Sequence, residues 1–151
     1  MKKLSIIVPC YNEQETVELF IREMEKVETE MPLKFEYIFI NDGSSDETLR
    51  VLKNAASLKE NINFISFSRN FGKEAALIAG LKAATGDFVT VMDVDLQDPP
   101  ELLPEMYQKI QDGYDIVGTR RSDRVGEPVI RSFFYFQKYF SNIFANYSQT
   151  E

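Results

Sequence analysis

The chain has 151 residues, enough for one domain with a core of its own. Its 44% hydrophobic and 27% charged residues strike an ordinary globular balance, and a net charge of −7 argues against the basic face that a nucleic-acid partner needs. One cysteine and no histidine exclude an internal disulfide, cysteine-rich or histidine zinc sites, and every histidine-dependent triad. Chemistry must then run on carboxylates, lysine, tyrosine or a bound metal.

Met1-Lys2-Lys3 leads straight into Leu4-Ser5-Ile6-Ile7-Val8. This apolar run is too short for a signal peptide and reads as a first strand over 4–8. A helix over 13–27 follows, with Val17, Phe20, Ile21, Met24 and Val27 on one stripe. A second strand is predicted over 35–40. A helix over 46–58 is opened by the cap signal Ser44-Ser45-Asp46-Glu47. The third strand spans 62–67 and the third helix 73–84. The fourth strand spans 88–92, and the helix over 101–111 starts at Pro99-Pro100 and stops at Gly113. A short fifth strand covers 116–118. Alternating units with near-continuous apolar strands predict an α/β fold: a mostly parallel sheet with helices on both faces. No stretch approaches the roughly 20 apolar residues of a membrane-spanning helix, so the chain is expected to be soluble and cytoplasmic.

Residues 120–151 differ in character. Arg120, Arg121, Arg124 and Arg131 gather around Gly126 and Pro128, and five of the twelve phenylalanines lie between 133 and 144. The expectation is an arginine-rich loop followed by an aromatic helical tail, apolar on most sides and in need of a cover. The chain is therefore expected to be the N-terminal part of a longer protein, with a donor-type domain over 1–119. The aromatic segment would pack on the missing part, lie on a membrane surface, or drive formation of a homo-oligomer.

The informative polar residues sit just after the strands, where open parallel sheets bind ligands. They are Pro9-Cys10-Tyr11-Asn12-Glu13, Asn41-Asp42-Gly43-Ser44-Ser45-Asp46, Ser68-Arg69-Asn70-Phe71-Gly72-Lys73 and Asp93-Val94-Asp95-Leu96-Gln97-Asp98. Two carboxylates one residue apart at the end of a buried strand repel each other. A divalent cation relieves that repulsion, and hard oxygen donors suit magnesium, manganese or calcium. Asp93 and Asp95 are thus candidates for the metal end of a nucleotide-diphosphate site. The bland alternative is a solvated loop that caps the next helix. Lys73 at a helix start opposes the dipole and calls for an anionic partner. Cys10 reads as a small packing residue. The chain has neither Gly-x-Gly-x-x-Gly after the first strand nor Gly-x-x-x-x-Gly-Lys-Ser/Thr, so diphosphate charge must be met by metal and side chains. An Asp-x-Asp phosphatase places its pair after the first strand, and a receiver domain wants an acidic pair there; neither matches.

Taken together, these four segments resemble family-2 glycosyltransferases of the GT-A fold, a Rossmann-like nucleotide-diphospho-sugar transferase architecture. The similarity is greatest to the dolichol-phosphate mannose synthase and polyprenyl-phosphate glucosyltransferase branch, and covers roughly residues 4–131. The resemblance implies that Pro9, Tyr11, Asn12, Glu13, Ile40 and Asp42 line the nucleoside pocket, with Asp42 bonded to the base. It puts Asp93 near the ribose or the sugar, Lys73 near the donor sugar or its phosphates, and Val94 and Asp95 in the nucleotide-sugar site, and makes Asp95, Gln97 and Asp93 the holders of Mg or Mn. Arg120 and Arg124 would meet the acceptor or the diphosphate. The implied reaction moves a sugar from a UDP- or GDP-sugar to a polyprenyl or dolichyl phosphate with inversion, and the full-length protein would work at the cytoplasmic face of a membrane. The family's general base has no counterpart before Glu151, so the catalytic residue is expected beyond the chain. Donor binding with weak or no transfer is the expectation for the chain alone. The competing expectation is a non-catalytic nucleotide-binding or assembly module.

Overall fold

The computed structural model describes residues 1–119 and the strand 135–138. Its elements run in the order β1 (Lys3–Cys10), α1 (Val17–Glu28), β2 (Lys34–Asn41), α2 (Thr48–Leu58), β3 (Ile62–Ser66), α3 (Lys73–Ala83), β4 (Phe88–Val91), a 3-10 turn (Pro100–Leu102), α4 (Leu103–Gln111), β5 (Ile116–Gly118) and β6 (Tyr135–Lys138). They build one sheet in the order β3-β2-β1-β4-β6-β5. The first four strands in that order are mutually parallel, with Lys3 opposite Lys34 at one end of β1 and Cys10 opposite Asn41 at the other.

β1 is the central parallel strand, and its apolar run follows from burial on both faces. Leu4, Ile6, Val8 and Cys10 point to one face, where they join Phe35, Tyr37 and Phe39 of β2 and the apolar stripes of α1, α2 and α4. Val17, Phe20, Ile21, Met24 and Val27 recur at helical spacing, so α1 buries one side and leaves the other to water. Each fully buried side chain of this size contributes about 1.5–3 kcal/mol relative to exposure. Ile7, Ile38, Ile40 and Val89 point to the opposite face, which α3 covers with Ala76. Small residues let α3 approach closely: a Cβ at Gly80 would lie 2.3 Å from Ile7 Cγ2.

Two local departures from the sequence expectation have simple causes. α1 starts at Val17 rather than at 13, because Asn12 takes a left-handed φ of 55° and residues 13–16 form a turn closed by Thr16 N–H on the Glu13 carbonyl at 3.1 Å. α2 starts at Thr48, since the Asp46 carboxylate accepts the Thr48 N–H at 3.0 Å and caps the helix from outside.

The larger correction concerns the tail. Residues 135–138 were expected to be helical and are strand β6, inserted antiparallel between β4 and β5. An unpaired β4 edge would expose a row of N–H and C=O groups, and β6 satisfies them. Aromatic residues also suit a pleated surface. Arg120, Arg121, Arg124 and Arg131, like the rest of 120–134 and 139–151, lie outside the described residues.

Candidate functional site

The sheet order sets the place of the site. The chain leaves β1 toward β2 on one side, and returns from β3 through α3 to put β4 on the other side. The connections therefore diverge between β1 and β4, and a crevice opens beyond their carboxyl ends.

After β1, Pro9 is half-buried, Cys10 is buried and Tyr11 is 49% exposed at the rim. Burial, reinforced by the nearby Glu13 charge, pushes the Cys10 thiol well up, so it stays protonated and acts as packing. Asn12 is a brace. Its N–H donates to Ser44 Oγ at 2.9 Å, and its Oδ1 accepts the Ser45 N–H at 2.9 Å. The Glu13 N–H donates to Thr48 Oγ1 at 2.8 Å. These bonds lock the loop after β1 to the loop after β2.

After β2, Asp42 is only 5% exposed. Its two carboxylate oxygens accept the N–H groups of Phe71 at 2.7 Å and Gly72 at 3.0 Å. Gly43, at φ +67°, allows the loop after β3 to lie directly on it: a Cβ there would sit 2.2 Å from the Arg69 carbonyl carbon. Asn41 completes the brace by donating to Ser66 Oγ at 3.0 Å and accepting the Ser44 N–H at 3.2 Å.

That loop ends at Gly72, whose φ of +96° turns the chain into α3 and places Lys73 at the first helical position. The Lys73 ammonium donates to Asp93 Oδ1 at 2.6 Å. The expected anionic partner of this lysine is thus found within the chain. Val94, 3% exposed, is packed into the core between its two acidic neighbours. Asp95 is exposed and accepts the Gln97 N–H at 3.0 Å in a tight turn.

These loops enclose a cleft of about 320 Å³ lined by Pro9, Cys10, Tyr11, Glu13, Asp42, Asn70, Gly72, Lys73, Ala76, Asp93, Val94 and Asp95. The structure brings Pro9, Tyr11, Glu13, Asp42, Lys73, Asp93, Val94 and Asp95 together there, as the sequence led one to expect. Asn12 and Gln97 are not among the lining residues, although both lie on the loops that shape the cleft. Ile40 is a correction: it is fully buried with Ala76 under α3, and supports the cleft from below. Arg120 and Arg124 lie outside the described residues. Asn70, Gly72 and Ala76 were missed as site residues; a glycine just before a lysine-initiated helix was the available signal for Gly72. A second groove, of about 480 Å³, runs between α4 and β5. Its charged residues, Glu105 and Lys109, are neighbours on one helix rather than groups converging from several loops.

Among the described residues, the cleft carries four carboxylates, Glu13, Asp42, Asp93 and Asp95, against the single ammonium of Lys73. An anionic guest would be repelled unless a cation came with it. Asp93 and Asp95 offer hard oxygen donors at the rim, and no described cluster of three or more His, Cys, Asp or Glu residues forms an all-protein cage. This donor set fits an ion completed by ligand oxygens and water, the habit of magnesium and of manganese in similar oxygen sites.

The family model described as glycosyl transferase family 2 matches residues 5–147. The chain belongs to glycosyl transferase family 2. It is 45% identical over 122 residues to a bactoprenol glucosyl transferase of Shigella phage SfX, covering 81% of this chain and 40% of that protein. It is 38% identical over 125 residues to an undecaprenyl-phosphate 4-deoxy-4-formamido-L-arabinose transferase of Proteus mirabilis, covering 82% of this chain and 38% of the relative. The chain thus spans about two fifths of the length of these curated relatives. Among solved structures, a mannosyltransferase from Pyrobaculum calidifontis in complex with GDP-Man and Mn2+ matches with a TM-score of 0.71 at 22% identity, over 91% of this chain and 44% of that one. This likeness shows the fold, the GT-A nucleotide-sugar transferase architecture that the resemblance implied. No described helix is long and apolar enough to cross a membrane.

Proposed function

We propose that this family 2 chain is the donor-binding part of a metal-dependent, inverting glycosyltransferase that takes a UDP- or GDP-sugar and serves a polyprenyl phosphate acceptor. The observation that carries the reading is the convergence of four post-strand loops on one cleft, with paired aspartates and one lysine at its mouth. Asp93 and Asp95, with Gln97 beside them, would hold Mg or Mn. Bound there, the ion would neutralise the diphosphate as it leaves. Tyr11 offers an exposed ring at the rim for a flat base. Asp42 has lone pairs left for the base after accepting two backbone N–H groups.

The acceptor class is supported by the names of the relatives, bactoprenol and undecaprenyl-phosphate transferases. Because the chain spans about two fifths of those proteins, donor binding is assigned to this chain and transfer to the full-length protein. Arg120 and Arg124 are proposed to meet the phosphate of acceptor or donor, since a guanidinium pairs bidentately with phosphate oxygens.

Calorimetric titration with UDP, GDP and their sugars, with Mn2+ or Mg2+ and then with chelator, tests this. Binding should need the metal, and Asp95→Ala should abolish the metal-dependent part. Binding untouched by chelator, or still chelator-sensitive in Asp95→Ala, would remove the metal from this site.

A further inference from the structure

Lys73 stands where its charge is least welcome. It is the first residue of α3, at the positive end of the helix dipole. It nevertheless points into the cleft and donates to Asp93 Oδ1 at 2.6 Å. The pair is only partly shielded, with side chains 55% and 38% exposed, so water competes for both partners and screens their attraction. One oxygen of Asp93 therefore already carries a cationic partner from the chain itself. A divalent ion on the same oxygen would face the lysine ammonium at very short range, and the two positive charges repel. Lys73 and a metal held by Asp93 would thus compete for the same carboxylate.

Resting on the donor-site reading above, we propose that Lys73 is a built-in substitute for the metal and changes partners on donor binding. In the empty cleft the ammonium holds Asp93. When the diphosphate arrives, the ammonium moves to its phosphate oxygens and the metal takes the freed carboxylate. No covalent bond is made or broken; four charged groups, the ammonium, the carboxylate, the metal and the diphosphate, are re-paired. Metal and nucleotide then bind with positive coupling, because each weakens the Lys73–Asp93 contact that opposes the other, and linkage makes the effect reciprocal. The arrangement keeps the metal weakly bound until the diphosphate is present.

The test uses this chain, Mn2+ as the metal probe and UDP or GDP as the nucleotide probe. Free Mn2+ is read by its spin-resonance signal, nucleotide by calorimetry, and folding by circular dichroism. Lys73→Met should tighten Mn2+ binding without nucleotide by about 3- to 10-fold, weaken nucleotide binding in the presence of Mn2+, and shrink the mutual enhancement, which typically lies at about 5- to 150-fold. Lys73→Arg, which keeps the charge, should retain most of the enhancement. Asp93→Asn should free the ammonium and tighten nucleotide binding without metal, which gives an independent answer should Lys73→Met fail to fold. Unchanged or weaker Mn2+ binding in folded Lys73→Met, or unchanged metal-free nucleotide binding in Asp93→Asn, overturns the exchange while leaving the donor site standing. Absence of any metal-dependent nucleotide binding in the unmodified chain overturns both.

Discussion

The Asp42 carboxylate grips the backbone of Phe71, a residue 29 positions later, through a 2.7 Å hydrogen bond from the Phe71 N–H. The neighbouring Gly72 N–H adds a second bond at 3.0 Å. The grip aligns the turn from which α3 and Lys73 start. Asp42 thus acts on the cleft from two directions: it lines the wall, and it holds the loop that presents the lysine.

Asp42→Asn should therefore loosen that loop. The amide keeps one acceptor oxygen but faces a backbone N–H with its own NH₂ group. Leaving a buried donor unsatisfied costs about 1–3 kcal/mol. Hydrogen exchange of the Phe71 and Gly72 amides should quicken, and nucleotide affinity should fall with it. Unchanged exchange at both amides would mean that the carboxylate does not hold the loop.

Gly80→Ala sets two effects against each other. Alanine gains about 1 kcal/mol of helix propensity over glycine. The new Cβ, however, would lie 2.3 Å from Ile7 Cγ2 and 2.9 Å from Ile40 Cδ1, both fully buried on the central strands. Overpacking typically costs about 1–3 kcal/mol. The variant should lose up to about 2 kcal/mol in urea unfolding despite its better helix former; a gain in stability would show that α3 can lift from the sheet at little cost.

Acid sensitivity should trace in part to Glu36. Burial works to raise its pKa, but hydrogen bonds from Ser5 Oγ and from the Thr85 hydroxyl and N–H, together with the Lys3 charge, outweigh that and hold it below the usual carboxylate value. The folded state therefore binds this proton less readily than the unfolded state does. The resulting stability is fully present above the unfolded pKa of about 4.3 and is lost as pH falls through the lower folded value. Glu36→Gln should be less stable than the unmodified chain at pH 7, and the gap should narrow below about pH 4. A gap that is the same at both pH values would acquit Glu36.

Much of the fold was legible because its signals are local. The stripe of Val17, Phe20, Ile21, Met24 and Val27 announced α1, and the apolar run from Leu4 to Val8 announced a strand buried on both faces. The paired aspartates were legible too, since two acids one residue apart after a buried strand need an explanation. Asn12 shows where such reasoning thins out: it was placed in a pocket, whereas its amide joins two loops. Nothing in the short sequence around Asn12 says that Ser44 and Ser45 lie opposite.

Composition and spacing alone settled the α/β class, the absence of histidine, and the gathering of polar residues at strand ends, because these depend on residue type and on periods of two or 3.6 residues. Strand order and register settled the rest. They turned Ile40 into the core beneath α3, slid β6 between β4 and β5, and brought Lys73 onto Asp93 across twenty positions of chain. Such pairings belong to the packing of whole elements, and no local pattern encodes which distant partner a side chain will meet.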